Sequence, residues 1–138
     1  MPPLAIDHVA LAVADLDSAL AHFRQVWGLL PSARELVEDQ GVEEALLSVG
    51  EGALQLIAPS GSDSTVARFI AKRGEGLHHI AFEVNDLASS LADLRARGVE
   101  LIDHEPRRGG GGRLVAFVHP GACHGLLVEL VQRRRSDD

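Results

Sequence analysis

Apolar and polar residues alternate in short runs along the chain, and each such run gives way to a stretch of different period. Over residues 5–13, Val9, Leu11 and Val13 share one side of an extended segment, with His8, Ala10 and Ala12 on the other. The pattern then turns helical, with Leu16, Leu20 and Phe23 at spacings of four and three. Asp15 is placed to cap that helix, and Gly28 to close it in a left-handed conformation. Three β segments follow, at 32–38, 43–49 and 52–58. A second strand at 77–84 leads through Asp86 into a helix marked by Leu87, Leu91 and Leu94, which stops near Gly98. Segments at 99–103, 113–118 and 125–131 complete this set. Between the sets, Val66, Phe69 and Ile70 are helically spaced within Ser64–Arg73, which predicts a short helix.

The two sets are copies of one unit. Placing His8 on His79, a shift of 71 residues, also matches Ala10 with Ala81, Val13 with Val84, Asp15 with Asp86 and Leu16 with Leu87. Gly28 falls on Gly98 at a shift of 70, and Gln55 on Glu129 at a shift of 74. Landmarks in constant order at a nearly constant shift predict a duplicated βαβββ unit of α+β class. The copies span 5–60 and 77–132, joined by a helical linker at 61–76, within one domain covering 1–138.

Charge and cysteine content narrow the partners. Thirteen basic residues against 20 acidic ones give a net charge of −7, which repels a phosphate backbone, so no nucleic-acid partner is expected. The only basic run, Arg133-Arg134-Arg135, lies in a polar tail. A single cysteine, Cys123, excludes an internal disulfide framework and a Cys-based zinc site, and suits a reducing compartment. Met1-Pro2-Pro3 does not open a signal-peptide pattern, and no apolar run approaches the roughly 18 residues that span a bilayer. A cytoplasmic location without membrane contact is expected.

The polar residues inside the strands carry the candidate chemistry. Gln55 and Glu129 interrupt segments otherwise built of Leu, Ile and Val. Burying either without a partner would cost about 1–3 kcal/mol, and more for the carboxylate. Strand alternation selects His79 over its neighbour His78 as the counterpart of His8. The small alanines beside each histidine predict open space on that face. A lone strand histidine is usually a hydrogen-bonded core residue. Here, however, four such residues occupy two pairs of repeat-equivalent positions, and a pseudo-twofold axis would gather both pairs. Two imidazoles, an amide oxygen and a carboxylate suit a divalent first-row ion such as Co²⁺, Mn²⁺, Ni²⁺ or Zn²⁺. The lack of thiolates argues against structural zinc.

With those residues placed, the sequence resembles the methylmalonyl-CoA epimerase family of the vicinal oxygen chelate superfamily, which includes glyoxalase I. The resemblance rests on Ile6-Asp7-His8-Val9-Ala10, Asp39-Gln40-Gly41-Val42, Leu54-Gln55-Leu56-Ile57-Ala58-Pro59 and Gly74-Glu75-Gly76-Leu77-His78-His79-Ile80-Ala81-Phe82. It extends through Leu101–Gly109 and from His119-Pro120 to Gly125-Leu126-Leu127-Val128-Glu129-Leu130, covering about 5–132. It implies a curved mixed sheet around a metal-binding cavity, with His8, Gln55, His79 and Glu129 holding one divalent ion per chain, Co²⁺ ahead of Mn²⁺, Ni²⁺ or Zn²⁺.

The implied activity is interconversion of the (2R) and (2S) forms of methylmalonyl-CoA through an enolate. An acidic residue after Gln-Gly-Val serves the family as a base and matches Glu44; alternation does not separate it from Glu43. Glu129 or a water would act on the other face. The resemblance also implies a homodimer, with Trp27 or Phe117 at the contact, and an acyl-CoA substrate. Two alternatives remain open: a lactoylglutathione lyase of the glyoxalase I type, which usually has a second glutamate where Gln55 stands, and a non-enzymatic small-molecule binding protein. There are departures too. Gly121 replaces a lysine common in the family, and Gly109–Gly112 reads either as a mobile turn beside the cavity mouth or as a plain hairpin turn.

Overall fold

The computed structural model describes residues 2–61 and 63–133. Among the described residues the backbone forms two compact units, one within 8–78 and the other combining 2–7 with 79–133. Of the basic run, Arg134 and Arg135 lie outside the described residues, and Arg133 reaches Glu83 at 3.9 Å. No described helix is long and apolar enough to cross a membrane.

The first copy comprises β1 (Ala5–Ala12), α1 (Leu16–Trp27), β2 (Pro31–Val37), β3 (Val42–Val49) and β4 (Gly52–Pro59), followed by α2 (Thr65–Arg73). Strands run in the order β2-β3-β4-β1, with β1 parallel to β4 and the other pairs antiparallel. Asp15 accepts the Ser18 N–H at 3.0 Å, and Gly28 adopts φ 68° after α1. Both sequence signals thus act where expected, supplying a partner for a helix-end amide and a turn without Cβ strain. Leu11 and Val13 pack with Leu16, Leu20 and Phe23 of α1 over Leu47 and Leu56.

The opposite face departs from expectation. Ala10 and Ala12 do not border open space: Val42, Ile57 and Val66 close over them, with Phe69 and Ile70 of α2 alongside. Small side chains here allow a helix to approach the sheet closely, so the linker is a covering layer. The acid of the Gly74-Glu75-Gly76 stretch has a related task, because Glu75 accepts the Ala14 N–H at 2.8 Å where β1 turns toward α1.

The second copy comprises β5 (Gly76–Val84), α3 (Leu87–Ala96), β6 (Arg107–Arg108), β7 (Leu114–Val118) and β8 (Val128–Gln132), in the order β5-β8-β7-β6. β5 is parallel to β8, as β1 is to β4. Asp86 caps α3 at the Ser89 N–H, 3.1 Å away. Phe82 and Val84 pack with Leu87, Leu91 and Leu94 over Val118 and Leu130. Ala81 is covered by Val115 and Val131, so the space expected beside His79 is filled as well.

The segment 99–103 is not a strand. It makes one isolated bridge, Leu101 to Val118, after which the Ile102 and Asp103 amides both donate to the Phe117 carbonyl, at 3.0 and 3.1 Å. The Asp103 carboxylate then accepts the Phe117 N–H at 2.8 Å, taking the place of a backbone acceptor and ending the ladder. Pairing resumes only at β6. Gly109–Gly112 forms the β6–β7 hairpin turn, with the Gly109 N–H donating to the Arg113 carbonyl at 2.8 Å. A Cβ at Gly109 would lie 3.0 Å from the Val115 side chain, which accounts for that glycine by close approach.

Candidate active site

In the first copy, His8 is buried on β1, two residues before Ala10, and Ala10 pairs with Gln55 on β4. Alternation therefore puts His8 and Gln55 on the same face. On the neighbouring strand β3, Leu46 pairs with Gln55 and Glu44 lies two residues earlier, again on that face. Gln55 Nε2 donates to Glu44 Oε2 at 3.2 Å. A carboxylate only accepts, so the amide must turn its nitrogen toward Glu44, which leaves the carbonyl oxygen as the metal-type donor.

The structure separates the two adjacent glutamates that alternation left open. Glu43 points to the other face, where Arg34 Nε meets its carboxylate at 3.0 Å and Arg34 Nη1 meets Asp17 at 2.7 Å. The hydrogen bonds Arg34 donates to Glu43, and then to Asp17, raise its pKa further above its ordinary range. Glu43 is engaged in this exposed network, and Glu44 shares a half-buried face with Gln55.

The second copy repeats the relation. Ala81 pairs with Glu129 as Ala10 does with Gln55, and His79 lies two residues before Ala81. His79 and Glu129 are both buried, with Nε2 and Oε1 3.5 Å apart. His78 instead meets the Phe69 ring edge-on at 4.9 Å, as parity predicted. Phe117 has a role within the chain. It pairs with Glu129 across β7 and β8 and meets the His79 ring at 5.2 Å, nearly perpendicular, with Arg107 5.5 Å over its own ring. Sequence reasoning missed this support; the signal was register, since Phe117 is the β7 residue opposite Glu129. Trp27, named with Phe117 for a dimer contact, is 68% exposed.

Each copy buries donors of the kinds that hold a divalent cation. Burying a carboxylate costs several kcal/mol unless positive charge balances it. His8, His79 and Glu129 are buried residues of the types that hold such an ion, and the Gln55 carbonyl adds a neutral oxygen. The departure at Gly121 also has a local cause. Its N–H donates to His119 Nδ1 at 2.9 Å, and a Cβ there would approach the same nitrogen to 3.0 Å.

Fold and donor set together define a class: residues 7–117 match the Glyoxalase/Bleomycin resistance protein/Dioxygenase superfamily, to which the chain belongs. The chain is 35% identical over 129 residues to an ethylmalonyl-CoA/methylmalonyl-CoA epimerase of Cereibacter sphaeroides, covering 92% of this chain and 96% of the relative. A solved structure of a Streptomyces coelicolor methylmalonyl-CoA epimerase variant in complex with 2-nitronate-propionyl-CoA is 42% identical, with a TM-score of 0.91 over 95% of each chain. A methylmalonyl-CoA epimerase solved with methylmalonyl-CoA and NH4+ gives the same identity, TM-score and coverage. Within the superfamily, the chain is a member of the methylmalonyl-CoA epimerase family.

Proposed function

We propose that this chain interconverts (2R)- and (2S)-methylmalonyl-CoA by removing the α-proton from one face and delivering a proton to the other. The observation that carries the reading is the Glu44–Gln55 contact: a carboxylate is held at 3.2 Å by an amide on the same face as a buried histidine. The reading is supported by the epimerase names of the relatives and by the repeat, which relates His8 to His79 and Gln55 to Glu129.

His8, Gln55, His79 and Glu129 would hold one divalent ion. When bound, that ion supplies a Lewis acid that favours negative charge on the substrate's thioester and carboxylate oxygens. Glu44 accepts the α-proton, with its orientation set by the Gln55 N–H. Glu129, or a water, returns a proton on the other face and so inverts the centre. Because Gln55 is neutral, Glu129 is the only anionic ligand, and the site keeps positive charge for an anionic substrate. A second carboxylate at position 55, usual in lactoylglutathione lyases, would cancel that charge, so Gln55 favours the epimerase. A binding module without chemistry would not need the full donor set.

The reading extends to Co²⁺ as the ion, a homodimer and a cytoplasmic location, the last supported by the single cysteine. The test is α-proton exchange from methylmalonyl-CoA in D₂O, run with metal analysis of the same sample. Deuterium uptake that disappears on chelation and returns with added Co²⁺ is expected. Turnover of the methylglyoxal–glutathione hemithioacetal, with no exchange from methylmalonyl-CoA, would overturn the reading in favour of the lyase.

A further inference from the structure

An acidic chain that takes an acyl-CoA must still attract the phosphates of the coenzyme's nucleotide. Five of the 12 arginines are already engaged. Arg34, Arg97, Arg107, Arg113 and Arg133 each face a carboxylate: Asp17 and Glu43, Asp93, Asp103, Asp7 and Glu83 respectively. Helix α2 differs. Its nine residues carry Arg68, Lys72 and Arg73 and no acid, and Lys72 is the only lysine in the sequence. All three are exposed, and among the described residues none faces a carboxylate. The next acid along the chain, Glu75, is turned to the Ala14 N–H.

This arrangement costs stability. Arg68 and Lys72 are like charges at i and i+4, and Arg68 stands near the positive end of the helix dipole. Dipole compensation accounts for Lys72 or Arg73 in the last turn, and Arg68 donates through Nη1 to the Asp63 carbonyl ahead of the helix. The guanidinium of Arg73 is also held in place, 5.6 Å over the Phe69 ring, whose other contact is His78 at 4.9 Å. The helix lies on the Ala10, Ala12 and Ile57 face, the face that also carries His8 and Gln55.

We infer that the exposed side of α2, centred on Lys72 and Arg73 with Arg68 behind them, is the docking surface for the phosphates of the coenzyme A nucleotide. The inference rests on the acyl-CoA reading above. Lys72 supplies a point charge, and Arg73, positioned by Phe69, supplies a planar donor fork. The surface anchors the remote end of the substrate and takes no part in proton transfer.

The experiment compares the Lys72→Gln/Arg73→Gln double variant with the parent protein on two thioesters, methylmalonyl-CoA and methylmalonyl-pantetheine, the second lacking the nucleotide. For the CoA thioester, KM should rise roughly tenfold with kcat within about twofold, as expected for losing two solvent-exposed phosphate contacts. Added salt should raise the parent's KM toward that of the variant. On methylmalonyl-pantetheine the two proteins should have the same kcat/KM. Lys72→Arg/Arg73→Lys should recover most of the loss, and Arg97→Gln, which removes one positive charge just beyond α3, should leave KM unchanged. An unchanged KM for the CoA thioester, or an equal loss on both thioesters, overturns the inference. Direct titration of coenzyme A into parent and double variant keeps it separate from the epimerase reading. Weaker binding by the variant sustains the docking surface even if no thioester is turned over, and equal binding rejects it.

Discussion

The two copies of the unit make the same strand pairing and set different side chains beside it. In each, a buried histidine lies two residues before an alanine whose parallel partner bears an oxygen donor: Gln55 in the first copy and Glu129 in the second. Their flanking strands differ. Leu46 of β3 pairs with Gln55, and two residues earlier stands Glu44. Phe117 of β7 pairs with Glu129, and two residues earlier stands Val115. The position that carries a half-buried carboxylate in one copy is thus a core valine in the other, packed on Ala81 and Val131. On the proposed reading, the first copy would supply a base next to a neutral donor. The second would supply the only anionic donor, beside the His79 ring that Phe117 meets. A duplicated scaffold offers equivalent positions, and the proposed reaction would need different groups at them, because inverting a stereocentre takes a proton from one face and delivers one to the other.

This asymmetry can be broken most severely at Glu129. Glu129→Gln should make the copies alike in charge and lower metal affinity by more than about 100-fold, exceeding the loss typical of changes beyond the ligands themselves. Metal analysis after dialysis, with activity restored only at high added metal, checks it. Glu44→Gln should leave metal content intact and reduce turnover by roughly 10²–10⁴-fold. Near-normal turnover would make Glu44 a solvated strand residue, whereas deuterium washing into one epimer alone would mark a site with two bases. Gln55→Glu forces the first copy to resemble the second. Metal should be retained, but Glu44 loses an N–H donor and gains a like charge, so kcat should fall by about 10–100-fold, the scale of one charge-assisted hydrogen bond. The smallest effects test what the copies share: Asp15→Ala and Asp86→Ala should each cost about 1 kcal/mol, read as similar drops in thermal midpoint.

Much of this was legible along the chain because it is local. Alternation and helical period are properties of neighbouring residues, so the strands, the two caps at Asp15 and Asp86, the linking helix and the preference for His79 over His78 could be read directly. The repeat extended that reading, since the matched positions of His8 with His79 and Gln55 with Glu129 follow from chain order alone. The remaining features depended on contacts between distant segments. Glu43 and Glu44 were distinguished by the residues on either face of β3: Arg34 engages one, and Gln55 the other. The alanine faces were filled by α2 in the first copy and by Val115 and Val131 in the second, because what covers a small side chain is set by another segment. The side chain of Asp103 ended a ladder that the apolar pattern of 99–103 favoured, and register placed Phe117 opposite Glu129. The sequence by itself determined the elements and their duplication, since backbone sterics and side-chain period act over a few residues. Tertiary structure alone decided which polar groups face one another, because that depends on strand register and on which segment covers each face.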